Sequence, residues 1–327
     1  MRLYRACVAA VIALALADAS SSYAAPPETA QAVAVLRIPF APPLDQNIDY
    51  KVVFSRSTPE RNTTTEIRQR LRFERSPVGY NLSIETLSLV GSHAKLDLTV
   101  LADRNRVPLE LRPLLLPMTF ELDTTGAILR VRDWPRLQVA LLDIPEAIIA
   151  MERPADPKAA RAMMQTIMQP FQGLSAETAP TVLLRGWPSF LGYGGLELEA
   201  GAVYEATNTT DAPLLPVALP TTVKYSLSRS TESNALRLVQ TSEPDKAKLG
   251  TAMEAYLRQM GANLDAASKA NLAKAAAAMR TMTIHDRLDI RFDGQSGLVL
   301  SASGERLVSI EALGGSGGET TTISLID

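Results

Sequence analysis

Histidine occurs twice in 327 residues, at His93 and His285, so any imidazole chemistry must run through one or both of them. Two histidines could meet in space as metal ligands, but both fall on the polar phase of strand-like alternation, where they read as surface residues. Ser92-His93-Ala94-Lys95 matches S-x-x-K; a serine–lysine pair acts from a helix, and this stretch alternates like a strand. Gly314-Gly315-Ser316-Gly317-Gly318 matches G-x-S-x-G without the strand before and helix after that build a nucleophile elbow, and it reads as a flexible turn. Neither supplies a nucleophile paired with a base.

The acidic residues offer little more. Glu197 and Glu199, with Glu205 beyond, have the spacing of neighbours on one polar strand face, which explains them as well as a glycosidase pair does. Asp286, Asp289 and Asp293 do not form a calcium loop, and Gly192-Tyr193-Gly194-Gly195 is neither a dinucleotide fingerprint nor a P-loop. Arg68, Arg70 and Arg72 with Lys51 could make an anion-binding stripe, but Asp49, Glu66 and Glu74 lie close enough to neutralise it. No catalytic residue, cofactor site or metal site is assigned.

Methionine is the residue whose distribution stands out. Met151, Met163, Met164, Met168, Met253, Met260, Met279 and Met282 lie in or beside helix-like stretches, leaving Met118 as the exception after residue 24. Flexible thioethers line adaptable apolar surfaces. The apolar stripes Met163, Met164, Ile167, Met168, Phe171 and Met253, Tyr256, Leu257, Met260 are therefore the candidate ligand-binding residues, with ordinary core packing as the competing explanation.

These stripes need a partner surface, and the stretch from Ile48 to Val100 provides one. Ile48, Tyr50, Val52 and Phe54 share a face, as do Ile67, Leu71 and Phe73, then Tyr80, Leu82 and Ile84, then Leu96, Leu98 and Val100. The pattern predicts an antiparallel meander with one wet face. Met118 to Asp123 and Ala127 to Arg132 flank an Asp-to-Gly turn and make a further hairpin. From Trp134 the period lengthens: one helix is expected to break at Pro145, another to continue over Ile148, Ile149 and Met151, a third to start at Asp156-Pro157, and a short one near Ser175. Strands resume at Leu196, Val223 and Leu236; helix returns with Leu249 to Met260, ending at Gly261. Four terminal strands are expected over Thr283 to Phe292, Gly297 to Ala302, Arg306 to Ala312 and Thr320 to Ile326. Fragments recur between the halves, as in YKVVFSRST at Tyr50 and YSLSRST at Tyr225; duplication and chance resemblance of hairpins explain them equally well.

The expected organisation is a signal peptide at 1–24, a Pro/Ala-rich arm at 25–47, a β region at 48–133, a helical insertion at 134–190, a second β region at 191–242, a helical insertion at 243–282 and a terminal β region at 283–327, with 48–327 one composite domain. Export follows from Arg2 and Arg5, the apolar run Ala6 to Ala17 and the small residues after it. That run has 12 residues, short of the roughly 20 a membrane helix needs, so no transmembrane anchor is expected. The single cysteine, Cys7, leaves with the signal, so no disulfide holds the remaining chain. Cleavage takes the formal charge from −2 to −3, which gives no general reason to bind nucleic acid. Low aromatic content, 5%, argues against a carbohydrate-binding surface paved with rings.

The fold class expected is α+β: a large curved antiparallel β-sheet or half-barrel carrying two helical insertions on its apolar face. This resembles the layout of the LolA-type periplasmic carriers of lipoproteins and lipids, in which helices close the concave side of an incomplete barrel. The function expected is a non-enzymatic periplasmic or secreted protein that binds or carries a lipid or other apolar small molecule. The alternative is an envelope structural or interaction component whose proline-rich segments 108–117 and 212–220 dock an envelope protein. A hydrolase of unfamiliar type ranks last.

Overall fold

The alternation that begins at Ile48 closes into a single sheet that takes strands from both ends of the chain. A computed structural model describes residues 34–58, 61–91, 95–107, 112, 116–152, 156–184, 187, 190–210, 219–230, 233–260, 277–278, 280–310 and 315–326. The first hairpins are β2 (Ile48–Thr58), β3 (Arg61–Ser76) and β4 (Gly79–Val90), followed by β5 (Lys95–Asp97), β6 (Met118–Asp123) and β7 (Ile128–Val131). The second half supplies β9 (Val203–Thr210), β10 (Leu219–Arg229), β11 (Leu236–Pro244), β12 (Met282–Phe292), β13 (Val299–Ile310) and β14 (Gly315–Leu325). Together they form a 12-stranded antiparallel sheet in the order β7-β6-β4-β3-β2-β14-β13-β12-β11-β10-β9, with β5 beside β4. The two halves meet where β14 pairs with β2, Ile323 opposite Val52, so they share one sheet.

The described part of the arm carries a short strand within the stretch Val33 to Ile38 where its sequence allows one. β1 (Val35–Arg37) pairs with β8 (Glu197–Glu199) in a separate two-stranded ladder, and Leu36 and Ile38 belong to the main core. The signal region lies outside the described residues.

Among the described residues helices are few: α1 (Leu101–Arg104), α2 (Trp134–Glu152), α3 (Pro157–Gln172), α4 (Pro180–Leu183) and α5 (Lys246–Met260). The expected break at Pro145 does not occur; α2 runs through it, because its apolar face, with Leu137, Ala140, Leu141 and Ala147 all buried, outweighs one missing backbone bond. Asp156 caps α3 by accepting from the amides of Lys158 and Ala159, both at 3.0 Å. The helix stop expected at Gly261 lies outside the described residues.

Two further expectations are corrected at the C-terminus. The two strands expected over Gly297 to Ala302 and Arg306 to Ala312 merge into one, β13, at Val299–Ile310, and Gly304 within it marks no turn. A Cβ there would lie 3.2 Å from Phe190 Cζ and 3.1 Å from Leu288 Cδ2, so the missing side chain is the seat of Phe190. Gly315 to Gly318 is likewise extended, pairing with Leu307 to Ile310; the neighbouring ladder imposes a conformation that the glycines alone would not choose. At the other end, the expected strand through Leu98 and Val100 is cut to three residues and followed by α1. The strand predicted from Leu196 to Tyr204 is split between β8 and β9.

Polar pairs stitch the outer face. Asp49 accepts from Arg68 Nη2 at 2.9 Å and Arg70 Nε at 2.8 Å, and these bonds hold its carboxyl below the usual carboxylate range. A lowered folded value means that the pair's stabilisation is present above the unfolded carboxyl value of about 3.9 and is lost as pH falls through the folded one. Asp49→Asn should therefore lower the urea midpoint at pH 7 and leave it close to that of the parent in strong acid. An equal deficit at both pH values would refute this account.

Candidate functional site

The inner face of the sheet is defined by register. Val52, Ile323, Ala302, Ile290, Leu238 and Leu227 lie opposite one another across β2, β14, β13, β12, β11 and β10, and all are buried. The segment after α4 covers this end of the strands. Trp187 donates to Gln69 Oε1 at 2.8 Å and meets the Tyr50 ring edge-on at 5.1 Å; Tyr193 donates to Gln240 Oε1 at 2.9 Å. The Tyr50 hydroxyl donates to the Val299 carbonyl at 2.9 Å, reaching past β14 to tie the two halves, and burial pushes it well above the usual phenol range.

Further along the same strands the cover thins. Ile67, Leu89, Phe54, Leu288 and Val308 face the same side but are only half-buried. They make a part-covered apolar stretch, or bay, on β4, β3, β2, β13 and β12. On the far side α5 packs against β10 and β12, burying Leu249, Ala252 and Met253 with Met282 and Ile284.

One charged row crosses the bay. Arg56 lies opposite Glu319, Glu319 opposite Arg306, and Arg306 opposite Asp286, on β2, β14, β13 and β12 in turn. Arg56 approaches Glu319 at 3.5 Å, and Arg306 is bidentate on Asp286 at 2.7 and 2.8 Å. Their side chains keep 27, 24, 21 and 20% exposure respectively, so solvent reaches all four.

The sequence-predicted residues are distributed between two helices with different supports. Met163, Met164, Ile167, Met168 and Phe171 lie on α3, which packs on α2. Met164 is half-buried, Met168 is buried in the main core, and the other three side chains lie outside the described set. Met253, Tyr256, Leu257 and Met260 lie on α5; Met253 is fully buried, and the remaining three side chains again lie outside the described set. The helical spacing was readable; the charged row was not, because it is made by pairing between strands distant in sequence.

The residues first weighed for catalysis are scattered. His285 sits on the outer face with its Nδ1 2.8 Å from Glu243 Oε1, while His93 and Ser92 lie outside the described residues. Glu197 and Glu199 are exposed on the small ladder. Among the described residues, no three His, Cys, Asp or Glu are grouped to hold a metal ion, and no helix is long and apolar enough to cross a membrane. Among the described residues, hollows open on the outer face, two of them between charged side chains. One, of about 530 Å³, lies between Arg68, Arg70, Leu87 and the β5–α1 segment; the other, of about 320 Å³, surrounds Arg287, Asp289 and Arg291. The arginine stripe is neutralised as its composition implies: Arg68 and Arg70 bond Asp49, and Lys51 lies 2.7 Å from Glu66.

No family model matches this sequence, and no curated protein matches it. Solved structures similar to the chain include one from work on lipid–protein interactions in lipovitellin, at 11% identity and a TM-score of 0.40. The match covers 86% of this chain and 25% of the lipovitellin chain, a level of agreement at which no ligand carries over from one to the other.

Proposed function

We propose that this is an exported, non-enzymatic cell-envelope protein that binds or carries a lipid or other apolar molecule on the inner face of its sheet. The observation that carries the reading is the change in burial along single strands: Val52 is fully buried, whereas Phe54, two residues on and on the same face, is half-buried, and Ile67, Leu89, Leu288 and Val308 continue the part-covered apolar surface. A soluble sheet gains by sealing such a face, at about 25 cal/mol per Å² removed from water, so a part-open apolar bay is where a ligand would complete the core. The methionine stripes of α3 and α5 remain proposed as further apolar contacts for the ligand, since flexible thioethers can adapt to it. The export half of the proposal rests on the N-terminal pattern of Arg2, Arg5 and the apolar run.

The test is native mass spectrometry with organic extraction, on protein purified from its own envelope without detergent. A lipid at near-stoichiometric amount is expected, and Phe54→Asp should reduce its retention about tenfold or more, the worth of burying one large apolar side chain. Phe54 is preferred to Met253, because a carboxylate at a fully buried site would unfold the helix–sheet contact and confound the result. An apo mass, together with no binding of an added acyl probe, would overturn the reading.

A further inference from the structure

The inner faces of β2, β14, β13 and β12 comprise aliphatic, aromatic, methionine, glycine, alanine and threonine residues with one charged residue per strand: Arg56, Glu319, Arg306 and Asp286. All four fall in a single register row, alternate in sign, and cross the bay between half-buried Phe54 and Leu288 on one side and Val308 on the other. An apolar face gains little from such groups. Ion pairs partly withdrawn from water, as these are at 20 to 27% exposure, are often no better than well-packed hydrophobic residues, so their placement calls for something more than sheet stability.

We infer that this row is a head-group site for an amphiphile whose head carries both an anionic phosphate and a cationic ammonium, with its acyl chain lying over the apolar floor. This rests on the reading of the inner face as a ligand site. The class of head group follows from charge balance. A purely anionic head drawn to Arg56 or Arg306 would compete with Glu319 and Asp286 and leave a carboxylate unpaired in a half-buried trough. A purely cationic head would do the same to the guanidinium groups, and either outcome is costly. A head with both charges matches the alternation: its phosphate meets an arginine fork, its ammonium meets Glu319, which stands between the two arginines, and no charge is stranded. Neighbouring strands lie about 4.8 Å apart, which sets adjacent charges at the scale of a phosphate and an ammonium joined by two carbons.

The experiment is calorimetric titration of the protein, stripped of endogenous lipid, with three single-chain lipids of the same lauroyl tail. These are a lysophosphatidylethanolamine, a lysophosphatidylglycerol and a monoacylglycerol, each below its micelle concentration. The zwitterionic lipid is expected to bind at least tenfold more tightly than the other two. The paired substitution R56M with E319L should abolish that preference while leaving monoacylglycerol affinity within about twofold, because removing both partners strands no charge. Circular dichroism and the urea midpoint of the double variant establish that it is folded. R306M with D286L is the second such variant. Equal binding of all three lipids would overturn the head-group assignment and leave the row as cross-strand pairing, with the apolar reading intact. Tightest binding of the anionic lipid would overturn the zwitterionic class. Binding of none would overturn the apolar reading itself.

Discussion

Trp187→Ala is expected to destabilise the protein by about 3–5 kcal/mol, the usual loss for truncating a fully packed large aromatic side chain. Trp187 is buried, its ring meets Tyr50 edge-on, and its indole N–H satisfies Gln69 Oε1 on the inner face of β3. Three losses coincide in the alanine variant: the packed volume, the aromatic contact, and the partner of an inward-facing amide. Trp187→Phe separates them. It keeps much of the volume and should cost about 1–3 kcal/mol, chiefly through the unsatisfied Gln69 oxygen. Urea unfolding followed by far-UV circular dichroism measures both. A loss below about 1 kcal/mol in the alanine variant would mean that the segment around Trp187 is a cover resting on an already stable sheet. On the proposed reading the consequence for a ligand is direct, since this segment seals the end of the inner face where Val52 and Ile323 are buried. Loosening it should extend the bay toward Tyr50 and change the length of apolar chain that the proposed site prefers.

The strands were legible where one residue's neighbours in sequence decide its face. Ile48, Tyr50 and Val52 alternate with Asp49 and Lys51, and the sheet places them on opposite sides as that alternation requires. The hairpin at Asp123 was legible for a similar reason: the carboxylate accepts from the amides of Thr125 at 2.8 Å and Ala127 at 3.0 Å, a local turn chemistry carried within five residues. Glycine misled wherever its cause was distant. The gap between the two expected strands falls around Gly304 because its occupant, Phe190, stands more than a hundred residues away, and Gly315 to Gly318 read as a turn because the ladder that straightens them belongs to Leu307 to Ile310. The candidate site follows the same division. The methionine stripes show in a helical period, whereas Arg56, Glu319, Arg306 and Asp286 become a row only once β2 pairs with β14, a junction between the two ends of the chain. All four also sit on the inward phase of their strands, a departure from binary pattern that is the trace of the site in the sequence itself.

Gly297→Ala is the second large effect, and it tests how the N-terminal arm is held. The turns Asp123–Gly126 and Asp293–Gly297 are built alike, each with an aspartate accepting from amides ahead of it and a glycine at positive φ, +85° and +70°. The arm touches both. A Cβ on Gly126 would stand 2.5 Å from Phe40 Cε2, and one on Gly297 would stand 1.8 Å from the Pro39 carbonyl oxygen. Beside this contact, the Ala41 amide donates to the Ser296 carbonyl at 2.8 Å. At Gly126 a ring edge can swing aside; at Gly297 the obstacle is backbone, so either the turn or the arm must move. Left-handed strain of about 1–3 kcal/mol and the loss of a backbone bond worth about 1 kcal/mol set an expected cost near 3 kcal/mol or more. The difference between the two glycines is itself the check. Gly126→Ala, strained but able to relax, should cost less, and hydrogen exchange should show increased opening at Ile38 and Ala41 in the Gly297 variant alone. Equal destabilisation without added exchange in the arm would show that positive φ is the whole effect. Arm release in both variants would show that the two turns grip it as one clamp, so that the arm joins the first-half hairpin to the second-half hairpin across the sheet.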